Sequence, residues 1–184
     1  MSLFVAIVPS SGAIEDLGDR VHAIRHLAAC RDLRWQPADR WHVTMAFLGD
    51  VDDHADEPVA AHLDAIAART PGPSLRLVGS GVFGRQIMWT GVHGVHDDDT
   101  EGFADLGLSL HVVLRRAGFR LEHRPWRPHL TLARSRGSDA RPAAAFLESY
   151  SGPSWPVTEL LAVRSQGGPT PVHTVIHRVQ LATA

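Results

Sequence analysis

Lysine is absent from this chain of 184 residues, and all 18 basic residues are arginine. A lysine amine is required for a lysyl-nucleotide intermediate, for a Schiff base and for a phosphate-binding loop of the Walker type. The absence of lysine therefore excludes the enzyme classes whose mechanisms depend on one of these three uses of the amine.

Cysteine occurs once, at Cys30, so the chain cannot form an internal disulfide and offers no cysteine cluster to a metal.

No apolar run is long enough to span a bilayer. No basic leader precedes the apolar residues 3–8, which we interpret as a first strand rather than a signal peptide. A net charge of -2 provides no bulk attraction for long polyanions. We therefore expect a cytoplasmic protein that contacts no membrane.

The hydrophobic pattern predicts the same order of elements twice: strand, long helix, strand, shorter helix, strand. In the first half these elements are expected at residues 3–8, 14–27, 42–47, 59–66 and 75–78. In the second half they are expected at residues 87–92, 103–114, 129–134, 143–150 and 157–163, with an extra strand at 172–181. The length suits one domain. The sequence therefore predicts a single two-lobed domain over residues 1–184, with approximate halves 1–84 and 85–184.

A histidine, one apolar residue and a threonine follow one another twice, in the segments WHVTMAFLG and PHLTLAR. Residues two apart in a strand share a face, so His42 lies beside Thr44 and His129 beside Thr131. If the halves pack about a pseudo-two-fold axis, the matched strands lie side by side and both pairs face one cleft. One copy of such a pattern would be a chance match, whereas two copies in matching halves indicate a shared function.

Two imidazoles and two hydroxyls around one small volume suit the cleavage of a phosphodiester. One histidine, protonated, donates a proton to the leaving oxygen, while the other, neutral, accepts a proton from the attacking water or hydroxyl. Histidine is the side chain whose ordinary pKa allows both states near neutrality. The threonine hydroxyls can donate hydrogen bonds to the non-bridging oxygens as negative charge builds there. This scheme requires no metal.

The chain resembles the two-histidine phosphoesterase superfamily, and within it the bacterial RNA 2′,3′-cyclic phosphodiesterases formerly called 2′-5′ RNA ligases. The matching segments are LFVAIVPS, RWQPADRWHVTMAFLGDV, GVFG with IMWTGV, and GFRLEHRPWRPHLTLARSRG, in the family's order over nearly the whole length. The resemblance implies an α+β fold, a bilobal pseudo-symmetric duplication with two antiparallel sheets around a central cleft and helices on the outside. It also implies opening of an RNA terminal 2′,3′-cyclic phosphate to leave a 2′-phosphate.

The same resemblance implies a role for each residue of the two motifs. His42 is the proton donor, and His129 is the proton acceptor that activates water. Thr44 and Thr131 bind the phosphate. Arg134 corresponds to the arginine that closes the second motif.

Three positions complicate this assignment. Strict alternation places Arg134 on the face opposite the second motif's histidine, so it reaches the phosphate only if the strand ends or bulges after Leu132. Ala46 stands where many relatives have a lysine, which removes a charge from the first motif. Phe47 occupies the place in the first motif that Arg134 occupies in the second. We expect Phe47 in the core, the alternative being a place on the nucleoside side of the cleft.

Arginines and tryptophans gather around the two motifs. The arginines near the second motif are Arg120, Arg124, Arg127, Arg134, Arg136 and Arg141. Two interpretations stay open for them: a patch that binds RNA phosphates while Trp126 stacks on a terminal base, or an ordinary solvated loop. For Trp35 and Trp41, which flank the first motif, we expect packing rather than a place in the cleft wall.

Three other pairs of histidines have spacings that invite a metal, namely His22 with His26, His93 with His96, and His173 with His177. The first pair lacks the glutamate of a zinc-protease motif. The second leads into acidic residues at 97–99, which we expect to cap a helix. The third is expected on one strand face, about 13 Å apart and too far to share an ion. We therefore predict no metal and no cofactor.

The expected substrates are RNA 3′ ends or nucleotides that carry a 2′,3′-cyclic phosphate, and no obligate protein partner is expected. Two alternatives remain. The same site could join RNA ends through a 2′-5′ link by reversal of the cyclic-phosphate chemistry, since a lysyl-adenylate is excluded. The chain could instead be a module that binds RNA ends or nucleotides without turning them over, although the intact pair of motifs argues against it.

Overall fold

The two strands that carry the repeated motif are neighbours at the centre of the sheet. The structure, a computed structural model, describes residues 1–121, 125–167 and 171–183. Its strands are β1 (Ser2–Ile7), β2 (Leu33–Trp35), β3 (Val43–Asp50), β4 (Ser74–Phe83), β5 (Ile87–Gly94), β6 (His129–Ser135), β7 (Ser151–Pro156), β8 (Glu159–Gln166) and β9 (Val172–Gln180). Its helices are α1 (Ser11–Ile24), α2 (Asp56–Ala67), α3 (Asp97–Arg116) and α4 (Arg141–Ala144), with 3-10 turns at Ala28–Cys30, Ala38–Arg40, Asp53–Ala55 and Ala145–Leu147.

The strands form two antiparallel groups, β7-β4-β5-β6 and β3-β1-β8-β9, with β2 beside the far end of β6. The groups meet through one backbone pair, Val43 opposite Leu130. Helix α3 packs on β3 and β5, across this junction, while α2 packs on β8 and β9. The arrangement confirms the predicted α+β class with its two antiparallel sheets, here joined at a single pair.

The strand order is symmetric about the junction between β3 and β6. Counted outward, β1 corresponds to β5, β8 to β4, and β9 to β7. The fourth strand of the chain, β4, nevertheless pairs with β5 and β7, and β8 pairs with β1. The first half thus contributes β2 and β4 to the group around β5 and β6, and the second half contributes β8 and β9 to the group around β1 and β3. The two strand groups therefore do not coincide with the halves 1–84 and 85–184.

Most of the predicted strands and helices are present, but several of their ends differ. The helix expected at 143–150 is α4 with the 3-10 turn that follows it to Leu147, and the helix expected at 14–27 ends at Ile24. The strand expected at 157–163 begins two residues later, as β8, and an unpredicted strand, β7, precedes it. Strand β7 contains Pro153 and Pro156, which are tolerated because this strand lies at the edge of the sheet. The pattern also missed β2, which has 3 residues and pairs only with β6.

Helix α3 begins as its sequence predicts, at a turn capped by acidic residues. The Asp99 carboxylate accepts hydrogen bonds from the backbone N–H groups of His96 and Ser74, which ties the start of the helix to the start of β4. One stripe of the helix is buried and consists of Phe103, Leu106, Gly107, Leu110 and Leu114. Among the residues described, no helix has both the length and the apolar composition to cross a bilayer.

Side chains from α3 and from the loop before β6 bind backbone carbonyls of β3 just beyond the junction. The Trp126 indole Nε1–H donates to the Thr44 carbonyl oxygen at 3.1 Å. His111 Nε2 donates to the Met45 carbonyl oxygen at 2.9 Å, since a carbonyl can only accept. The indole ring lies against Gly107 of α3. These contacts fix β3 and the loop that leads into β6 to the same helix.

Arg164 on β8 is a buried cation, with 5% of its surface exposed. Its guanidinium donates hydrogen bonds to the carboxylate of Asp56, at the start of α2. It also donates to the carbonyl oxygens of Val51 and Asp52, in the loop after β3. Because every acceptor lies between β3 and the start of α2, this arginine fixes the connection that follows the first motif strand.

Replacing Arg164 by methionine should leave these acceptors unpaired in a largely buried site. We expect the free energy of unfolding, measured by urea denaturation, to fall by about 2–4 kcal/mol. Arg178→Met is the matched control, because Arg178 pairs with Glu159 at the surface and should contribute about 0–1 kcal/mol. Similar losses in the two variants would contradict the structural role assigned to Arg164.

Gly107→Ala should displace Trp126, because an added Cβ would lie 2.3 Å from the indole ring. We expect the free energy of unfolding to fall by about 1–3 kcal/mol, from overpacking and from loss of the bond to Thr44. Gly102→Ala on the same helix would meet no atom within 4 Å. That control should be more stable than the parent by about 0.5–1 kcal/mol, since alanine favours helix more than glycine does. Equal changes in the free energy of unfolding for the two variants, measured by urea denaturation, would refute the packing of Trp126 on Gly107.

Candidate active site

The four residues of the repeated motif border one cleft between the two strand groups. The single backbone pair between β3 and β6 fixes their register. Counted one residue in each direction from this pair, His42 comes level with Thr131 and Thr44 with His129. The four side chains share a cleft of about 490 Å³. The structure thus brings together the two motifs that the sequence predicted to face each other.

Both imidazoles are oriented by the same backbone contact. His42 Nδ1 lies 2.8 Å from the carbonyl oxygen of Arg40, and His129 Nδ1 lies 2.7 Å from the carbonyl oxygen of Arg127. A carbonyl accepts, so Nδ1 carries the hydrogen and Nε2 remains available for proton transfer. The sequence Arg-x-His precedes both threonines, so the repeat extends two residues further than the predicted motif.

A β-bulge follows each histidine at the same position in the two motif strands. Where β3 pairs with β1, Met45 is the extra residue that has no partner on β1. Where β6 pairs with β5, Leu132 is the extra residue that has no partner on β5. The bulge carbonyls have partners outside the neighbouring strands: Met45 accepts from His111, and Leu132 accepts from the backbone N–H of Gln36 at 2.8 Å. Each bulge inserts one residue, so the face that each following side chain occupies is reversed.

The bulges bring Phe47 and Arg134 to the cleft. Arg134 is exposed and borders the cleft with both motifs, so the bulge that its access required is present. The expectation that Phe47 lies in the core is wrong, because its side chain is 44% exposed and borders the cleft as well. Ala46 is buried instead, since the bulge before it reverses its face.

The two histidines have different surroundings. The His42 ring stacks on Phe4, with centroids 4.9 Å apart, and meets His173 edge-on at 5.4 Å. The His129 ring meets Phe83 edge-on at 4.8 Å and Trp89 at 6.3 Å. Burial lowers the pKa of His42 from its ordinary value, and the positive charges of His173 and His129 lower it further. The bond to the Arg40 carbonyl raises this pKa and opposes the shift only in part.

His173 is a third histidine of the cleft that the sequence pattern did not identify. His173 was expected on the same strand face as His177. Strand β9 has a bulge at Ile176, which has no partner on β8, so the two histidines lie on opposite faces. His177 turns instead toward α2, where its Nε2 lies 2.7 Å from Asp64. Burial lowers the pKa of His173, and so does the nearby charge of Arg40. No signal in the local sequence reveals this position, because the bulge changes the strand period.

The arginines near the second motif do not form one patch. Arg127 and Arg134 border the cleft or the pocket beside it. Arg141 pairs with Asp139. Arg120 and Arg136 are exposed and border neither space, and Arg124 lies outside the described residues.

The tryptophans near the motifs are held by the fold. Trp126 is anchored on α3, as described above, with one edge of its ring in a neighbouring pocket. Trp41 is buried and donates to the Gln36 carbonyl oxygen, and Trp35 packs against the core. The expected packing role of Trp35 and Trp41 is therefore confirmed.

An apolar pocket of about 640 Å³ adjoins the cleft on the side of His129. Thr44, Phe47 and His129 border both spaces. The rest of the wall is mainly apolar, with Val82, Phe83, Ile87, Leu121, Pro125 and Trp126. The motif histidines thus stand between an apolar pocket and a polar part of the cleft.

Of the histidines considered for metal binding, His173 borders the cleft and the others lie elsewhere in the fold. His22 on α1 meets His26, two residues beyond the end of that helix, edge-on with ring centroids 5.5 Å apart. His96 and the acidic residues after it form the cap of α3. Within the described ranges, no three His, Cys, Asp or Glu side chains are grouped so that they could hold a metal ion.

Comparison with known proteins shows relatives with the same fold. A protein of Geobacillus stearothermophilus named RNA 2′,3′-cyclic phosphodiesterase is 30% identical over 148 residues, which are 77% of this chain and 46% of that protein. The chain thus spans about half the length of this curated relative. Crystal structures of TT0787 from Thermus thermophilus and of Escherichia coli LigT complexed with 3′-AMP have TM-scores of 0.77 and 0.78, at 25% and 24% identity. The first alignment covers 100% of this chain and 99% of the other, and the second covers 99% and 98%.

The likeness to LigT shows the fold alone, whereas a family match concerns the sequence itself. The model of the 2′-5′ RNA ligase superfamily matches residues 14–169, a span that includes both motif strands and every helix between them. This chain belongs to the 2′-5′ RNA ligase superfamily.

Proposed function

We propose that the protein hydrolyses the 2′,3′-cyclic phosphate at an RNA 3′ end in the cytoplasm to a 2′-phosphate, without a metal. The observation that carries this proposal is the pair of imidazoles, each oriented through Nδ1, that border one cleft together with two threonines. No carboxylate borders that cleft among the described residues, which suits an anionic substrate. The name of the Geobacillus stearothermophilus relative supports the same reaction.

In the proposed reaction a water molecule attacks phosphorus and the bond from phosphorus to the 3′ oxygen breaks. His129 Nε2 accepts the proton of the attacking water, and His42 Nε2 donates its proton to the 3′ oxygen. The product has a 3′ hydroxyl and a 2′-phosphate, and the protons balance once the two histidines exchange their states. The hydroxyls of Thr44 and Thr131 donate hydrogen bonds to the non-bridging oxygens, while Arg134 offsets their growing negative charge.

His42 receives the proton it donates when the substrate binds. Burial and neighbouring positive charge lower its pKa, so the neutral form is favoured in the free protein. A bound phosphate places negative charge beside the ring and raises this pKa again. The substrate therefore helps to protonate the residue that acts on it.

The apolar pocket beside His129 is the proposed site of the nucleobase. Its walls include the exposed ring of Phe47 and the rings of Phe83 and Trp126. A flat, weakly polar base gains contact area and stacking in this pocket. A phosphate would lose its hydration there without compensating hydrogen bonds, which costs free energy.

Mass analysis of an RNA oligonucleotide that ends in a 2′,3′-cyclic phosphate tests this function. We expect the product to gain one water and to carry a 2′-phosphate, at an unchanged rate in EDTA. His42→Ala and His129→Ala should each lose about 10²–10⁴-fold in rate, the usual contribution of a positioned acid or base. His22→Ala, at an exposed histidine of α1, is the control and should retain the parent rate.

Other outcomes of this assay would contradict the proposal. Full activity of His42→Ala would refute the assignment of the donor, and loss of activity in EDTA would refute metal independence. A longer product with a 2′-5′ link would favour end joining by the same site. Tight binding of a 2′-phosphate end with no turnover of the cyclic substrate would favour the binding module.

The pH dependence should reveal the lowered pKa of the donor. The rate falls on the alkaline side of the pH profile as His42 loses its proton. A lower pKa of His42 therefore moves this alkaline limb to lower pH. In kcat/KM, which reports the free enzyme, we expect the alkaline limb at lower pH than in kcat, because the pKa of His42 is lowered there. In kcat, which reports the complex, the bound phosphate should move it to higher pH. Alkaline limbs at the same pH in both profiles would contradict the proton uptake described above.

A further inference from the structure

We propose that Arg40 and His173 form a second anion subsite, which binds the phosphodiester on the 5′ oxygen of the substrate's terminal nucleotide. This inference rests on the proposed function and adds to it a preference for an RNA chain over a nucleoside. The subsite lies beyond His42, on the side of the cleft opposite the apolar pocket. The cyclic phosphate itself is bound by the two motifs and Arg134.

Arg40 is positively charged and His173 is protonatable, and neither has an acidic partner within the part of the chain that the structure describes. Arg40 is half-buried at the end of the 3-10 turn before β3, and its side chain makes no salt bridge with any described carboxylate. By contrast, an aspartate or glutamate pairs with each of Arg85, Arg141, Arg164 and Arg178. Burial and then the nearness of Arg40 lower the pKa of His173, so the two groups are close together and the charge of Arg40 has no compensating anion among the described residues.

The surroundings of these two groups consist of neutral hydrogen-bonding side chains. Ser2 on β1, Ser165 on β8 and the amide of Gln36 border the same part of the cleft. No aspartate or glutamate borders it within the described residues. A cavity with uncompensated positive charge and several hydroxyl and amide groups binds a phosphate well, since charge-assisted hydrogen bonds are the strong ones.

The covalent geometry of a nucleotide directs its 5′ phosphate to this side. The cyclic phosphate occupies the C2′–C3′ edge of the ribose, the base is attached at C1′ next to C2′, and the 5′ arm leaves from C4′ next to C3′. The base and the 5′ arm lie on the same face of the ribose but at its opposite ends, so with the phosphorus between His42 and His129 one end of the ribose points to each histidine. Because the side of His129 opens into the apolar pocket, the 5′ arm extends past His42 toward Arg40 and His173.

The test compares three substrates: adenosine 2′,3′-cyclic phosphate, the same nucleoside with a 5′-monophosphate, and an adenylyl-adenosine dinucleotide that ends in the cyclic phosphate. We expect kcat/KM to be at least about tenfold higher for the dinucleotide than for the nucleoside, as one or two charge-assisted hydrogen bonds would give. The difference should lie mainly in KM, because the added phosphate is remote from the bond that breaks.

Two variants assign this preference to its residues. Arg40→Gln removes the charge and keeps the backbone carbonyl that orients His42. His173→Phe keeps an aromatic edge against Phe4 and His42. Both should lose far more kcat/KM on the dinucleotide than on the nucleoside, so the ratio falls toward one. Arg69→Gln, at an exposed arginine outside both spaces, should leave the ratio and both rates at the parent values.

The outcomes separate failure of the subsite from failure of the proposed function. Equal kcat/KM for dinucleotide and nucleoside, or a preference that either variant retains in full, overturns the subsite. A gain confined to the free 5′-monophosphate overturns its assignment to an RNA chain. If no substrate is hydrolysed, the proposed function fails, and calorimetry still tests the subsite. Adenosine 2′,5′-bisphosphate should then bind at least about tenfold more tightly than adenosine 2′-phosphate, and equal affinities overturn the proposal.

Discussion

One backbone pair, Val43 opposite Leu130, joins two groups of strands that otherwise separate, and the cleft exists because of this limited contact. A longer ladder between β3 and β6 would close the space, and no pairing at all would leave the two motifs without a fixed register. The carbonyls beyond the pair bind Trp126, His111 and the chain before β3 instead. The fold therefore satisfies its buried backbone groups while keeping the strands apart where a ligand must enter.

The backbone of the site is close to symmetric, whereas its chemistry is not. Both motif strands have the same Nδ1 contact and the same bulge, so each histidine presents Nε2 in the same way. The bulges then expose different residues, a phenylalanine on one strand and an arginine on the other. The neighbouring aromatic rings differ too, because His173 lies near His42 and Trp89 lies near His129. The proposed roles of donor and acceptor require this asymmetry, because two like residues differ in acidity only if their electrostatic surroundings differ.

Features with a strict sequence period could be predicted, and features that interrupt the period could not. Alternation sufficed to place His42 with Thr44 and His129 with Thr131 on shared faces, since no bulge lies within either pair. It misplaced Phe47 because one inserted residue reverses every face that follows. His173 reaches the site through the strand order β3-β1-β8-β9 and a further bulge. That order depends on contacts distant in sequence, so no local pattern could reveal it.

The exchange of β4 and β8 between the two sheets determines what a fragment of this protein could do. A polypeptide that stopped after β4 would leave β1 without its neighbour β8, and would present β4 with neither β5 nor β7 to pair with. Such open edges are satisfied most readily by an identical copy that supplies the missing strand. A half-length chain with this topology would therefore need a second copy to supply those strands, whereas the full chain supplies them within one molecule.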